Sequence, residues 1–248
     1  MNNEKTPVSI VTVSFNSEKT IARTIESVLN QTYTNIEYII MDGNSKDKTV
    51  EVAHSYNEAF AAKGIPFTVV SEPDKGMYDA LNKAIALAKG EIVGGINSDD
   101  YYEPDAVEKM VALYEKEHYD AAWGDLRVFT ATGEMRKTAK VGKLWTTTHW
   151  CHPSMFATKA VLTEFPYACE NMYDDFDFIT RVYIAGKKIC TINEIIANFT
   201  FGGMSTKKSF KEAMERVNIT YGIYRKHGMS RLYWFHRVAL EMAKLIIG

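Results

Sequence analysis

Cysteine is scarce, membrane-length apolar runs are missing, and neither sign of charge predominates. The 248 residues include three cysteines, Cys151, Cys169 and Cys190. They make no C-x-x-C pair, so their spacing supports neither a disulfide framework nor a zinc site. They suit a reducing cytosol as buried structural thiols. No apolar run approaches the ~20 residues of a membrane span. The polar segment 1–7 does not read as a secretory signal, so a cytoplasmic location is expected. A formal net charge of −2 leaves no basic footprint for nucleic acid. There is no G-x-G-x-x-G after the first apolar run and no G-x-x-x-x-G-K-[ST] anywhere, which disfavours a dinucleotide fingerprint and a P-loop.

What is present is a hydrophobic fraction of 46%, enough to bury the core of one large domain or of two halves sharing a sheet. The apolar, β-branched stretch 8–15 predicts a first strand. Apolar residues Ile21, Ile25, Val28 and Leu29 recur at helical spacing, predicting a helix over 18–31 capped by Asn16 or Ser17. Strands follow at 36–41, 66–71 and 91–96, with helices running to about residue 62 and over 77–89. Strand and helix alternate with short connections, the pattern of a parallel α/β sheet covered by helices. Each strand leaves into a polar turn holding Asn16, Asp42, Asp74 or Asn97 and Asp99. In such a sheet ligands bind at the carboxyl ends of strands.

The motifs Val8-Ser9-Ile10-Val11-Thr12-Val13-Ser14-Phe15-Asn16 and Asp42-Gly43-Asn44-Ser45-Lys46-Asp47-Lys48-Thr49 resemble the opening of the inverting family 2 glycosyltransferases of GT-A fold. Ser71-Glu72-Pro73-Asp74-Lys75-Gly76-Met77-Tyr78-Asp79-Ala80-Leu81-Asn82-Lys83 resembles a segment of members that build bacterial surface polysaccharide. The likeness is strong over about the first hundred residues and weaker over the next hundred. It implies a mostly parallel Rossmann-like sheet flanked by helices, with a small acceptor-side sheet and a C-terminal helical extension. It also implies that Thr12, Ser14 and Asn16 line the base and ribose of a nucleotide-sugar, and that Asp42 accepts from a pyrimidine N–H. Asp74, Lys75 and Gly76 would lie beside the nucleotide. Asn97-Ser98-Asp99 stands where the family has Asp-x-Asp, so Asp99 would hold a divalent cation, Mn²⁺ or Mg²⁺. Asn97 departs from that pattern by removing one charge, and Asp100 is the weaker candidate ligand. Read without the resemblance, Asp42 is also a turn former, and Ser98, Asp99 and Asp100 also suit a helix cap.

The second half predicts a helix from Glu103 and Pro104 to about 117, a short strand at 120–125 and a hairpin of 126–130 with 135–141. Trp123 and Trp145 are candidates either for stacking on a sugar or for the core. His149, Cys151 and His152 stand together without a zinc spacing. The resemblance puts His152 on the acceptor side, with a structural histidine as the alternative. Asp174-Asp175-Phe176-Asp177 is a second acidic focus. Inverting transfer needs a general base for the acceptor hydroxyl, and the resemblance places it at Asp175. Asp174 would be its acidic neighbour, and Asp177 a cap or anchor for a helix reaching 185. All three also suit the positive end of a helix dipole. Residues 197–205 resemble the family's closing strand and glycine loop. From Ser209 the chain reads as helical, its last segment apolar, aromatic and sparsely basic. That segment suits a helix lying on a membrane, or one packed on the body or on a second copy.

The division expected is 1–205 as the glycosyltransferase domain, with 1–103 binding the nucleotide-sugar and 104–205 the acceptor, and 206–248 as the extension. The expected activity transfers a sugar from a UDP-sugar to a saccharide hydroxyl, the acceptor being lipid-linked. The rivals are a sugar nucleotidyltransferase, which would show a glycine- and basic-rich first loop, and a catalytically silent nucleotide-sugar or saccharide-binding subunit.

Overall fold

The structure, a computed structural model, describes residues 5–130, 133–142, 146–147, 150–200 and 209–247. Four parallel strands form its first half: β1 (Val8–Ser14), β2 (Ile36–Asp42), β3 (Phe67–Ser71) and β4 (Ile92–Gly95). Every residue of β1 is buried, because the strand lies between β2 and β4 with helices over the sheet. That is why its sequence is continuously apolar or small rather than alternating. The remaining strands are β5 (Tyr101–Tyr102), β6 (Ala121–Thr130), β7 (Gly133–Lys137), β8 (Met155–Thr158) and β9 (Ile189–Thr200). They extend the same sheet in the order β3-β2-β1-β4-β8-β6-β9-β5, with β7 pairing β6. The expected α/β architecture is therefore present, and the strands of the second half are continuous with the parallel half.

The helices are α1 (Ile21–Leu29), α2 (Thr49–His54), α3 (Asn57–Ala62), α4 (Met77–Leu87), α5 (Ala106–Glu117), α6 (Lys159–Glu164), α7 (Asp174–Ile184), α8 (Phe210–Lys226) and α9 (Tyr233–Ile247). α1 starts at Ile21, the first residue of its apolar spacing, rather than at the expected residue 18. The Ser17 amide donates to the Thr49 hydroxyl and the Glu18 amide to Asp47, which holds the chain in a turn. The single helix expected up to residue 62 is broken between α2 and α3, where the Ser55 hydroxyl donates to the Val52 carbonyl. β6 runs unbroken through Gly124 and Asp125, which the sequence reads as a strand end. A Cβ at Gly124 would collide with Ile196, and Asp125 is buried against the Arg136 guanidinium and the Ala139 amide.

The terminal helices pack onto the body. Ser209 caps α8 by accepting from the Glu212 amide at 3.2 Å. Tyr224 meets Phe176 of α7 edge-on at 5.5 Å and stacks on Tyr233 of α9 at 4.2 Å. α9 turns charge inward: Arg237 and Glu241 are fully buried, and Arg216 of α8 pairs with the same Glu241. Arg237 also donates to Thr220 of α8 and to Thr147, which lies between β7 and β8. Leu232 and Phe235 are turned outward instead. No helix among the described residues is long and apolar enough to cross a membrane.

Candidate active site

The carboxyl ends of β1, β2 and β3 are tied together by one carboxylate. Asp42 is fully buried and accepts from the Ser14 hydroxyl (3.0 Å), the Ser45 amide (2.9 Å) and hydroxyl (2.5 Å), and the Ser71 hydroxyl (2.7 Å). Four donors saturate its two oxygens, so it is a hub for three strand ends. To accept from a base it must release one of these donors. Asn16 has φ +50° and accepts from the Lys46 amide, closing the first loop on the second. Asp74 accepts from the Gly76 amide at 2.7 Å, and its carboxylate packs where a Cβ on Gly43 would stand. Gly76 itself has φ +117°, a backbone state that a side chain disfavours. Beside this cluster Phe15 leaves its ring 62% exposed. A large apolar ring in water at the end of a central strand is a platform for a planar ligand.

Next to it opens a cleft of about 1080 Å³ whose lining includes Lys75, Gly76, Asn97, Asp99, Trp150, His152 and Asp175. Asp175 lies in the first turn of α7 and is half-buried. The Tyr78 hydroxyl donates to one of its oxygens at 3.1 Å, and the Trp150 indole N–H to the other at 2.9 Å. Both donors are neutral, and together they fix the orientation of the carboxylate. The Tyr78 hydroxyl is pushed well above its ordinary range by burial and by the Asp175 charge, so it stays a proton donor in this pair. His152 completes the ring of aromatics, edge-on to Tyr78 and Tyr167. Burial holds its imidazole below the ordinary value against the raising pull of Asp175, which favours the neutral form.

Asp99 is exposed in the cleft beside Asn97, while Asp100 points into the fold. Asp100 Oδ1 accepts from the Thr200 amide at 3.4 Å, and Oδ2 has no hydrogen-bond partner among the described residues. Burial and then the Asp99 charge push its carboxyl well above the usual range. The open donor set is thus one carboxylate and one amide, both hard oxygen donors. No group of three or more His, Cys, Asp or Glu side chains gathers among the described residues. A Mg²⁺ or Mn²⁺ ion held by one carboxylate and substrate phosphates fits such a set.

Several expected residues are placed otherwise. Thr12 is fully buried at mid-strand, where its hydroxyl accepts from Tyr38, so it cannot line a nucleotide. Trp123 is also fully buried, edge-on to Trp150 at 4.8 Å, and cannot stack on a sugar. Ser98 is buried and shares a hydrogen bond with Ser17, bracing two strand ends. Asp174 is fully buried and accepts from the Glu170 and Asn171 amides, so it braces the loop before α7. Asp177 is an anchor rather than a cap: it takes Arg181 and the His227 imidazole at 2.8 Å each. Of the thiols expected to be buried, Cys151 is, Cys190 is partly so, and Cys169 is exposed in the cleft wall. Trp145, His149 and residues 201–205 lie outside the described residues. Sequence reasoning overlooked Phe15, Tyr78 and Trp150. Phe15 stands inside the strand-end motif and was open to notice; the other two are defined by contacts that no local pattern reports.

The family model described as Glycosyl transferase family 2 matches residues 9–169. A chondroitin synthase of Escherichia coli is 36% identical over 110 residues, 44% of this chain and 16% of that protein. A PGL/p-HBAD biosynthesis glycosyltransferase of Mycobacterium bovis is 25% identical over 215 residues, 84% of this chain and 83% of that one. The chain thus spans a small part of the first of these relatives and most of the second. In fold it is similar to TarS 1-349 of S. aureus in complex with UDP-GlcNAc, at TM-score 0.72 and 17% identity over 95% of this chain and 71% of that one. It is likewise similar to a mannosyltransferase of Pyrobaculum calidifontis in complex with GDP-Man and Mn²⁺, at TM-score 0.69 and 15% identity, covering 98% and 70%.

Proposed function

Because the chain belongs to glycosyl transferase family 2, we propose that it is an inverting glycosyltransferase of bacterial polysaccharide synthesis. It would move a sugar from a nucleoside diphosphate, a uridine one, to a hydroxyl of a saccharide acceptor. The observation that carries this is Asp175, a half-buried carboxylate oriented by Tyr78 and Trp150 in the same cleft as Lys75, Asn97 and Asp99. Residues 1–103 would bind the donor and 104–205 the acceptor, with 206–248 as the helical extension. Phe15 would stack on the base beside Ser14, Asn16 and Asp42, and Asp74, Lys75 and Gly76 would lie along the diphosphate. Asp99, with the Asn97 amide, would hold the Mg²⁺ or Mn²⁺, whose chemistry is charge neutralisation on the leaving diphosphate.

In the reaction, Asp175 takes the proton of the acceptor hydroxyl as its oxygen bonds to the anomeric carbon. The bond from that carbon to the diphosphate oxygen breaks, its electrons leave with the nucleoside diphosphate, and the configuration inverts. His152, neutral and beside Asp175, would hydrogen-bond the acceptor. The acceptor is proposed to be lipid-linked. Leu232, just before α9, and Phe235 on it, 71% and 65% exposed, support peripheral contact with the inner face of the membrane, or with a second copy. Calorimetric titration with UDP, with Mn²⁺ and then with EDTA, tests the reading. Binding that needs the metal and weakens at least tenfold in Asp99→Ala is expected. Absence of nucleotide binding under either condition would refute it and leave a saccharide-binding subunit.

A further inference from the structure

The cleft around Asp175 is apolar over much of the surface that the donor residues do not occupy. Three adjacent strands build this surface in register. Met135 of β7 pairs with Val128 of β6, and Val128 pairs with Phe199 of β9, so one row of apolar side chains crosses the sheet on one face. All three line the cleft, as does Leu126, two residues along β6 on the same face. Phe176 and Met172 add apolar surface from α7 and the loop before it. Three methionines of the lining, Met77, Met135 and Met172, are 39, 57 and 42% exposed.

Three polar side chains in this part of the wall have protein partners. Lys137 donates to the Trp150 carbonyl, Glu170 takes Lys226, and the Thr147 hydroxyl accepts from Arg237. A polyhydroxylated sugar chain laid here would meet few free partners for its hydroxyls, whereas an aliphatic chain would take methionine and aromatic surface out of water. Methionine side chains also adapt their shape to irregular apolar ligands. The cleft of about 1080 Å³ is also lined by Lys75, Gly76, Asn97 and Asp99, so the apolar row is the part of it that the donor leaves to the acceptor. We propose that this row takes the aliphatic aglycone of the acceptor, so that Asp175 acts on a sugar hydroxyl lying next to the aglycone rather than at the far end of a long glycan. The proposal rests on the glycosyltransferase reading and narrows its acceptor.

The test uses the full chain labelled with ¹³C-methyl methionine, whose eleven methionines are assigned by single Met→Leu variants. Octyl β-glucoside, below its micelle concentration, is titrated against methyl β-glucoside. The methyl signals of Met77, Met135 and Met172 should move with the octyl compound at a concentration at least tenfold lower than with the methyl compound. In the M135N/M172N double variant, the shift of Met77 should lose that preference. Equal responses to the two glycosides, no response, or shifts spread over methionines outside the cleft would overturn the proposal. UDP with Mg²⁺ is titrated in the same sample. Binding of UDP with equal glycoside responses would overturn the aglycone site alone. A selective octyl response without any UDP binding would undo the glycosyltransferase reading and the acceptor assignment with it.

Discussion

Removing the Trp150 indole N–H should slow transfer without weakening the donor. Trp150 is 6% exposed, so in Trp150→Phe no water readily replaces the hydrogen bond to Asp175, and a phenyl ring still packs against Trp123. A hydrogen bond to a charged group contributes about 1.5–3 kcal/mol. Felt fully in the transition state, that is roughly a 10- to 100-fold loss in kcat, at about 1.4 kcal/mol per factor of ten. Tyr78→Phe, which removes the longer bond at 3.1 Å, should cost less. Asp175→Asn removes the base itself and sets the ceiling, a loss of about 10²- to 10⁴-fold. Because Tyr78 and Trp150 are argued to act through Asp175, their effects should not add. In an Asp175→Asn background, Trp150→Phe should change the residual rate by less than about twofold, as expected of residues acting as one unit. The assay is initial-rate release of nucleoside diphosphate with saturating acceptor, beside the UDP dissociation constant by calorimetry. A Trp150→Phe enzyme with unchanged kcat and weakened UDP binding would refute the assignment, and so would a full Trp150 effect persisting in Asp175→Asn.

Asp177 should make stability depend on acid. Burial works to raise its carboxyl, but hydrogen bonds from His227 and Arg181 outweigh burial and hold it below the usual carboxylate range. With the folded value depressed, its stabilisation is complete above the unfolded value of ~3.9 and is lost as pH falls through the folded value. Asp177→Asn should therefore unfold at lower urea than the parent at pH 7, with the gap narrowing as pH falls below about 3.9; a gap independent of pH would contradict the coupling. In the sheet, a Cβ at Gly94 would stand 2.5 Å from the buried ring of Phe156. Gly94→Ala should cost about 1–3 kcal/mol by overpacking and lower Tm by roughly 2–12 °C. Thermal melts should show partial recovery in Gly94→Ala/Phe156→Leu, and an unchanged Tm in Gly94→Ala would show that the ring moves aside freely.

The parallel half was legible because buried parallel strands announce themselves by continuous β-branched runs. The strands of the second half were not, because each carries a local exception made good from elsewhere. β6 was read as two pieces at Gly124 and Asp125, yet Gly124 is required by Ile196 and the Asp125 charge is met by Arg136, eleven residues on. Strand parity also misled: Thr12 and Ser14 share a face, but only Ser14 reaches the strand end, while Phe15, of the opposite parity, opens to solvent. Composition marks tryptophan as a stacking residue without saying which one. Trp123 and Trp150 touch, and the sheet buries the first while leaving the N–H of the second on Asp175.

The acidic run shows most clearly what a sequence motif withholds. Asp174, Asp175 and Asp177 fall within one helical turn, and at about 100° per residue they leave the axis of α7 in three directions. Asp174 points back to the Glu170 and Asn171 amides, Asp177 points to Arg181 and His227, and Asp175 meets the Tyr78 hydroxyl and the Trp150 indole N–H. Its two donors come from 97 and 25 residues away, so neither could be paired with it by spacing. The run identifies where carboxylates are concentrated; the helix phase, fixed by burying Phe176, Phe178, Ile179 and Val182, selects which one Tyr78 and Trp150 orient. An insertion between Asp175 and Phe176 would rotate Asp175 by about 100° out of the cleft and should abolish transfer while UDP binding remains.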